Sequence, residues 1–191
     1  MNPHLMNTLL NIRNVALILP LAALLAAGCS KEKEALEEIA PEVRFSMDFP
    51  ALPITVDSTA VAGPFGVSVA LDPAILAQAL QAQNYSVGQL TAFKFTKARL
   101  YFTSPLNSYY NNVQSVTVQV GVDQSLPVTV AVLDPVPDGA QTLLLQLPDV
   151  NVLDLMTGSN VQVIAKMQFD GPIPAVTGHS LVLGAEATVG L

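Results

Sequence analysis

Every second residue from Val161 to Phe169 is apolar: Val161, Val163, Ala165, Met167 and Phe169, with Gln162, Lys166 and Gln168 among the residues between. A repeat of two belongs to an extended strand with one buried face, because a helix would scatter these side chains around its circumference. The last run of the chain repeats the device with Leu181, Leu183, Ala185, Ala187 and Val189. It recurs in Phe65, Val67, Val69 and Leu71, in Val116, Val118, Val120 and Val122, and in Val128, Val130 and Val132. Phe45, Met47 and Phe49 alternate with Ser46 and Asp48 before Pro50 and Pro53 interrupt. Asp138-Gly139, Gly158, Asp170-Gly171-Pro172 and Gly178 punctuate the runs as turn residues do. A chain built this way is expected to be all-β.

The turn-like segment 123–127 joins two alternating runs and predicts a hairpin over 116–132. Thr142 to Leu147 is more continuously apolar and reads as an interior strand. One stretch is helical by every local signal. Asp72 can cap, Pro73 suits the first turn, and Ala74 to Gln81 are good helix formers, with Ile75, Leu76, Ala79 and Leu80 toward the sheet. Asp149 to Met156 is a candidate for a second short helical turn. Short strands with one short crossover helix and no βαβ rhythm predict an antiparallel β-sandwich of eight or nine strands, immunoglobulin-like or jelly-roll-like. A closed barrel is the alternative; the exterior is too polar for an outer-membrane barrel.

The beginning of the chain has a different character. Residues 1–14 carry one firm charge, Arg13, and precede an apolar run, Val15 to Ala27, that contains Pro20 and ends in Ala26, Ala27 and Gly28. These are the parts of a secretory signal, and the run is too short for the roughly 20 apolar residues of a membrane span. The only cysteine, Cys29, follows at once. Leu25-Ala26-Ala27-Gly28-Cys29 resembles the lipobox of bacterial lipoproteins, with alanine at the third place before the cysteine where leucine is usual. That resemblance implies cleavage before Cys29, a diacylglyceryl thioether on its sulfur and often an N-acyl chain such as palmitate. Each buried methylene contributes roughly 0.8 kcal/mol, so several chains hold a protein firmly where one does not. Ser30, in the place where aspartate would be the retention signal, implies an outer-membrane lipid anchor, on the periplasmic or cell-surface face. Ser30-Lys31-Glu32-Lys33-Glu34 also resembles signals that send some lipoproteins to the surface, or else is a solvated charged tether. The expected organisation is a signal peptide over 1–28, a lipidated cysteine and tether over 29–44, and a β-sandwich over 45–191.

Fifteen acidic residues against eight basic ones give a formal charge of −7. That balance opposes nucleic acid as a partner, since phosphate binding needs a basic field. With Cys29 committed to lipid no disulfide can form, so the fold must rest on apolar packing. The absence of Trp and the few aromatics weaken the case for a sugar-stacking platform.

Two stretches could bind a ligand. Lys94, Lys97 and Arg99 lie among Phe93, Phe95, Tyr101 and Phe102, either as a cationic-aromatic patch for an anion or as an edge strand guarded by lysines. Period two fails across this stretch unless a bulge near Thr96 shifts the register. Tyr109, Tyr110 and Asn111 sit in a polar loop suited to adaptable recognition of glycan or protein. His179 is the one histidine of the expected mature chain, which leaves zinc improbable and favours a surface or strand-start residue. His179-Ser180 lacks a Gly-x-Ser-x-Gly context, and a triad needs geometry. The aspartates Asp123, Asp134, Asp138, Asp149, Asp154 and Asp170 fall at turns without EF-hand spacing. No catalytic set, cofactor or metal site is expected. The reading is a membrane-anchored envelope lipoprotein that presents a non-catalytic sandwich to an envelope protein or glycan, or acts as scaffold. A carrier of an apolar ligand between the sheets is the alternative, and an envelope hydrolase comes third.

Overall fold

The first strand and the last are neighbours. In the computed structural model, which describes residues 42–57, 63–122, 125–172 and 175–190, β1 (Val43–Asp48) and β2 (Leu52–Val56) both pair antiparallel with β9 (Thr177–Val189). Val43 stands opposite Val189 and Val56 opposite Thr177, so β1 and β2 are one edge bent at Pro50. Cys29, the rest of the lipobox and the tether as far as Pro41 lie outside the described residues, as does Asp123.

The other strands are β3 (Gly63–Ala70), β4 (Leu90–Ser104), β5 (Val113–Gly121), β6 (Val128–Leu133), β7 (Thr142–Leu144) and β8 (Gln162–Phe169). They form two antiparallel sheets, with β9 between the β1–β2 edge and β4, β4 next to β7, and β3-β8-β5-β6 opposite. The pairings nest: β5 with β6, β4 with β7, β3 with β8, and β1–β2 with β9. The chain is therefore one long antiparallel ribbon folded over on itself, and the folding adds the β4–β9 and β5–β8 ladders. That is the jelly roll, with eight strands when the bent edge counts once. An immunoglobulin order would keep the first two strands together in one sheet, whereas here β3 leaves for the other.

The runs of β8 and β9 face the core as their period requires, whereas in β6 a register slip buries Ala131 beside Val130 and leaves Val132 half-buried. Val161, Val163, Ala165, Met167 and Phe169 are buried, and so are Leu181, Leu183, Ala185, Ala187 and Val189. Phe49, Phe93 and Phe95 meet with centroids 5.8 to 6.3 Å apart, Phe93 and Phe95 edge to face. Helix α1 (Pro73–Ala82) carries the chain from one sheet to the other. The Asp72 carboxylate accepts the Ala74 N–H at 2.9 Å, and Leu76 and Leu80 are buried. Asn84, at φ 63°, ends the helix: Tyr85 N donates to Leu80 O and Asn84 N to Gln81 O, both at 2.9 Å. This is the Schellman pattern, with asparagine tolerating the left-handed turn. A shorter helix, α2 (Leu153–Met156), precedes β8.

Three expectations are corrected. Residues 93–102 are not an edge strand, because β4 lies between β9 and β7. Thr142 to Leu147 is not interior: β7 is a three-residue edge strand on which Leu143 is buried and Leu144 is 67% exposed. A strand also forms around Pro53, which the edge position permits because its missing N–H leaves no ladder bond unmade. Among the described residues, strand structure begins at Val43.

The break in alternation at Thr96 is a bulge. The register with β9 slips between Phe95 and Lys97, so Phe93, Phe95, Ala98 and Leu100 all face inward while Lys94, Lys97 and Arg99 face out. Gly184 stands across from both Asp48 and Lys97, and a Cβ there would come within 2.8 Å of Asp48 Oδ1. Its bare backbone lets the Asp48–Lys97 ion pair, 3.0 Å long, close over the strand.

Candidate functional site

The ribbon divides the molecule into two poles. At one lie the start of β1, helices α1 and α2, and the end of β9. At the other lie the β4–β5 loop (105–112), the β6–β7 loop (134–141) and the approach to β9. These loops are tied together. Tyr110 N donates to Ala140 O at 2.9 Å, Gly139 N to Asn111 Oδ1 at 2.8 Å, and Asp170 N to Asn112 O at 3.2 Å. Ser108 Oγ donates to Pro105 O at 2.9 Å within the first loop.

Under this loop cover the two sheets leave a cleft of about 340 Å³. Its apolar walls come from Phe102 of β4 and from Val113 and Phe169 of the opposite sheet; Tyr109, Asn111 and Thr177 add polar atoms. Tyr109 is 53% exposed at the rim, whereas Tyr110 is 1% exposed and buried beneath. The two tyrosines therefore differ in kind, and Tyr110 is not a surface contact. Asn111 borders the cleft with its carbonyl oxygen already engaged by Gly139.

His179, expected at the surface or at a strand start, stands near the start of β9 and is 3% exposed. Its ring packs on Phe102 at 4.5 Å, and Phe102 on Tyr110 at 4.3 Å. Its Nδ1 lies 3.1 Å from Tyr110 Oη and its Nε2 2.9 Å from Thr177 Oγ1. A neutral imidazole satisfies both contacts by donating through one nitrogen and accepting through the other. Burial pulls the His179 pKa down to about 4 and pushes the Tyr110 phenol upward. No signal in the sequence pairs His179 with Tyr110, since the contact spans sixty-nine residues.

The arrangement limits the chemistry. His179 and Ser180 are adjacent in a strand and point to opposite faces, so they cannot act as a nucleophile and base. The hydroxyl beside His179 is that of Thr177, but a base with a pKa near 4 accepts protons poorly at neutral pH. Among the described residues, no group of three or more His, Cys, Asp or Glu could hold a metal ion.

The cationic candidates do not gather in one site, and none of them lines the cleft beside Tyr109 and Asn111. Lys94 Nζ donates to Asp149 Oδ1 at 2.6 Å and Lys97 Nζ to Asp48 Oδ1 at 3.0 Å. The three cations line three separate depressions on the outer sheet face, Arg99 in one bordered by Tyr101, Asn107, Gln141 and Thr142.

No family model matches the chain, and no curated protein matches it. Among solved structures it is similar to a chain from Desmodium yellow mottle tymovirus, at 13% identity over 79% of this chain and 90% of that one, with a TM-score of 0.29. A likeness that loose carries no argument, and the jelly-roll assignment rests on strand order.

Proposed function

We propose that this chain is an envelope lipoprotein, held at the outer membrane through lipid on Cys29, whose jelly roll is a non-catalytic binding module. The observation that carries this reading is the polarity of the domain. Val43, where the domain begins, and the Tyr109 cleft lie at opposite poles. At about 3.3 Å per residue, the edge from Val43 to Val56 spans on the order of 40 Å. The segment that leads to Cys29 joins the domain at the Val43 pole, and the loop cover lies at the other. There Tyr109 offers an exposed aromatic contact beside a preformed cleft, the setting in which tyrosine suits recognition of an envelope protein or glycan.

The cleft also favours a second reading, carriage of an apolar ligand, because Phe102, Val113 and Phe169 give it apolar walls open at one end. Envelope hydrolysis has less support, given the weak basicity of His179.

Replacement of the acceptor thiol tests the anchor. Wild-type protein expressed with radiolabelled palmitate is expected to carry label and to sediment with membranes. Cys29→Ser is expected to lose the label and move to the soluble fraction. An unlabelled, freely soluble wild-type protein would overturn the reading. Mass spectrometry of an organic extract of the purified protein separates the two binding readings, since a co-purified apolar molecule supports carriage.

A further inference from the structure

From the Arg99 depression we infer a second binding site, on the outer face of the sheet, for a carboxylate-bearing sugar such as a uronic acid. It is distinct from the cleft between the sheets, with which it shares Phe102 and Ser108. Four cations stand on this face, and three have acids: Arg44 with Glu42 and Glu186, Lys94 with Asp149, Lys97 with Asp48. Arg99 has none within ion-pair distance among the described residues, although the chain holds fifteen acids. Its cross-strand neighbours are Val182 on β9 and Leu144 on β7, so the ladder places an apolar side chain on either side of the guanidinium. No described side chain supplies the anion here, and a ligand's carboxylate would complete the position.

The surroundings of Arg99 indicate what else the ligand carries. The depression measures about 490 Å³, within the range of roughly 300–1,000 Å³ common for small-molecule sites. Thr142, Asn107 and Gln141 line it with hydroxyl and amide groups that both donate and accept, and Ser108, whose proton goes to Pro105 O, adds an acceptor. Tyr101, Val182 and Leu106 supply flat or apolar flanks. A planar guanidinium grips a carboxylate through two parallel N–H donors, which a lysine cannot do. A ring with several hydroxyls uses the neutral rim, and its C–H face rests on the flanks. Without tryptophan, recognition falls to the guanidinium rather than to a stacking platform.

Resonance titration of the full-length chain in detergent micelles tests this, with sodium glucuronate, glucose, sodium acetate and a tetra-glutamate peptide as probes. Expected are saturable shifts of the Arg99 Nε–H and the Asn107 and Gln141 side-chain amides, with glucuronate binding at least ten-fold more tightly than the other three probes. Arg99→Ala is expected to weaken glucuronate binding at least ten-fold, and Arg99→Lys to weaken it measurably while retaining the charge. Acetate as effective as glucuronate would reduce the site to a bare anion position and overturn the proposal. Preference for the peptide, binding that survives Arg99→Ala, or no saturable shift would overturn it equally.

Discussion

The surroundings of His179 make the stability of the fold depend on pH. The imidazole is held neutral among Phe102, Tyr110 and Thr177, and burial keeps its pKa near 4, below the ordinary value of about 6.5. Between those two values the unfolded chain binds a proton that the folded chain refuses, so stability rises with pH across that window. The contribution is complete above about pH 6.5 and is lost as pH falls toward 4, the loss reaching about 2 kcal/mol at pH 5. Urea unfolding at pH 7.5 and pH 5 is expected to show that loss in the wild type and a smaller one in His179→Phe. Equal losses in both would remove His179 as the cause. The apolar alternation of β9 marks position 179 as inward-facing, and a histidine can occupy it because Tyr110 and Thr177 satisfy both ring nitrogens. Only their approach across the fold makes burial affordable.

At the scale of the element, the sequence is most readable where local chemistry and burial agree. Helix α1 has its cap, first-turn proline and buried stripe all visible in residues 72–82, because each is a short-range effect. Asp72→Ala is expected to cost about 1 kcal/mol, read as a lowered urea midpoint with unchanged slope. The β5–β6 hairpin and the Thr96 bulge were legible for a related reason: a bulge restores the inward direction of Phe93, Phe95, Ala98 and Leu100, which no regular register can. The place of a strand within its sheet was not legible. The lysines of β4 are compatible with an edge, yet β4 is central, and their solvated heads extend over the outer face toward Asp149 and Asp48. For residues 142–147 the error ran the other way. Continuous hydrophobicity points to burial on both faces, but Leu144 projects outward beside Arg99.

At the scale of the whole molecule, β9 is the strand on which one sheet depends, since it bonds the β1–β2 edge on one side and β4 on the other. Removing residues 177–191 is expected to abolish cooperative unfolding and to leave a chain without native near-ultraviolet dichroism. A truncated chain that still unfolded cooperatively would show that the opposite sheet suffices. The pairing of Val43 with Val189 also means that the first strand finds its partner only after the last has been made, and folds so dominated by distant contacts form in milliseconds to seconds.

The amino-acid sequence by itself determined the strand period, the inward residues, the helix with its cap, the hairpin and the dependence on apolar packing without disulfides. Each follows from chemistry within a few residues of chain. Tertiary structure alone decided that the ribbon folds as a jelly roll, that Tyr110 and His179 meet inside it, that Tyr109 stays at the rim, and that Arg99 has no acid within ion-pair distance among the described residues. Those outcomes depend on which distant segments become neighbours, and alternation of side chains carries no address for its partner.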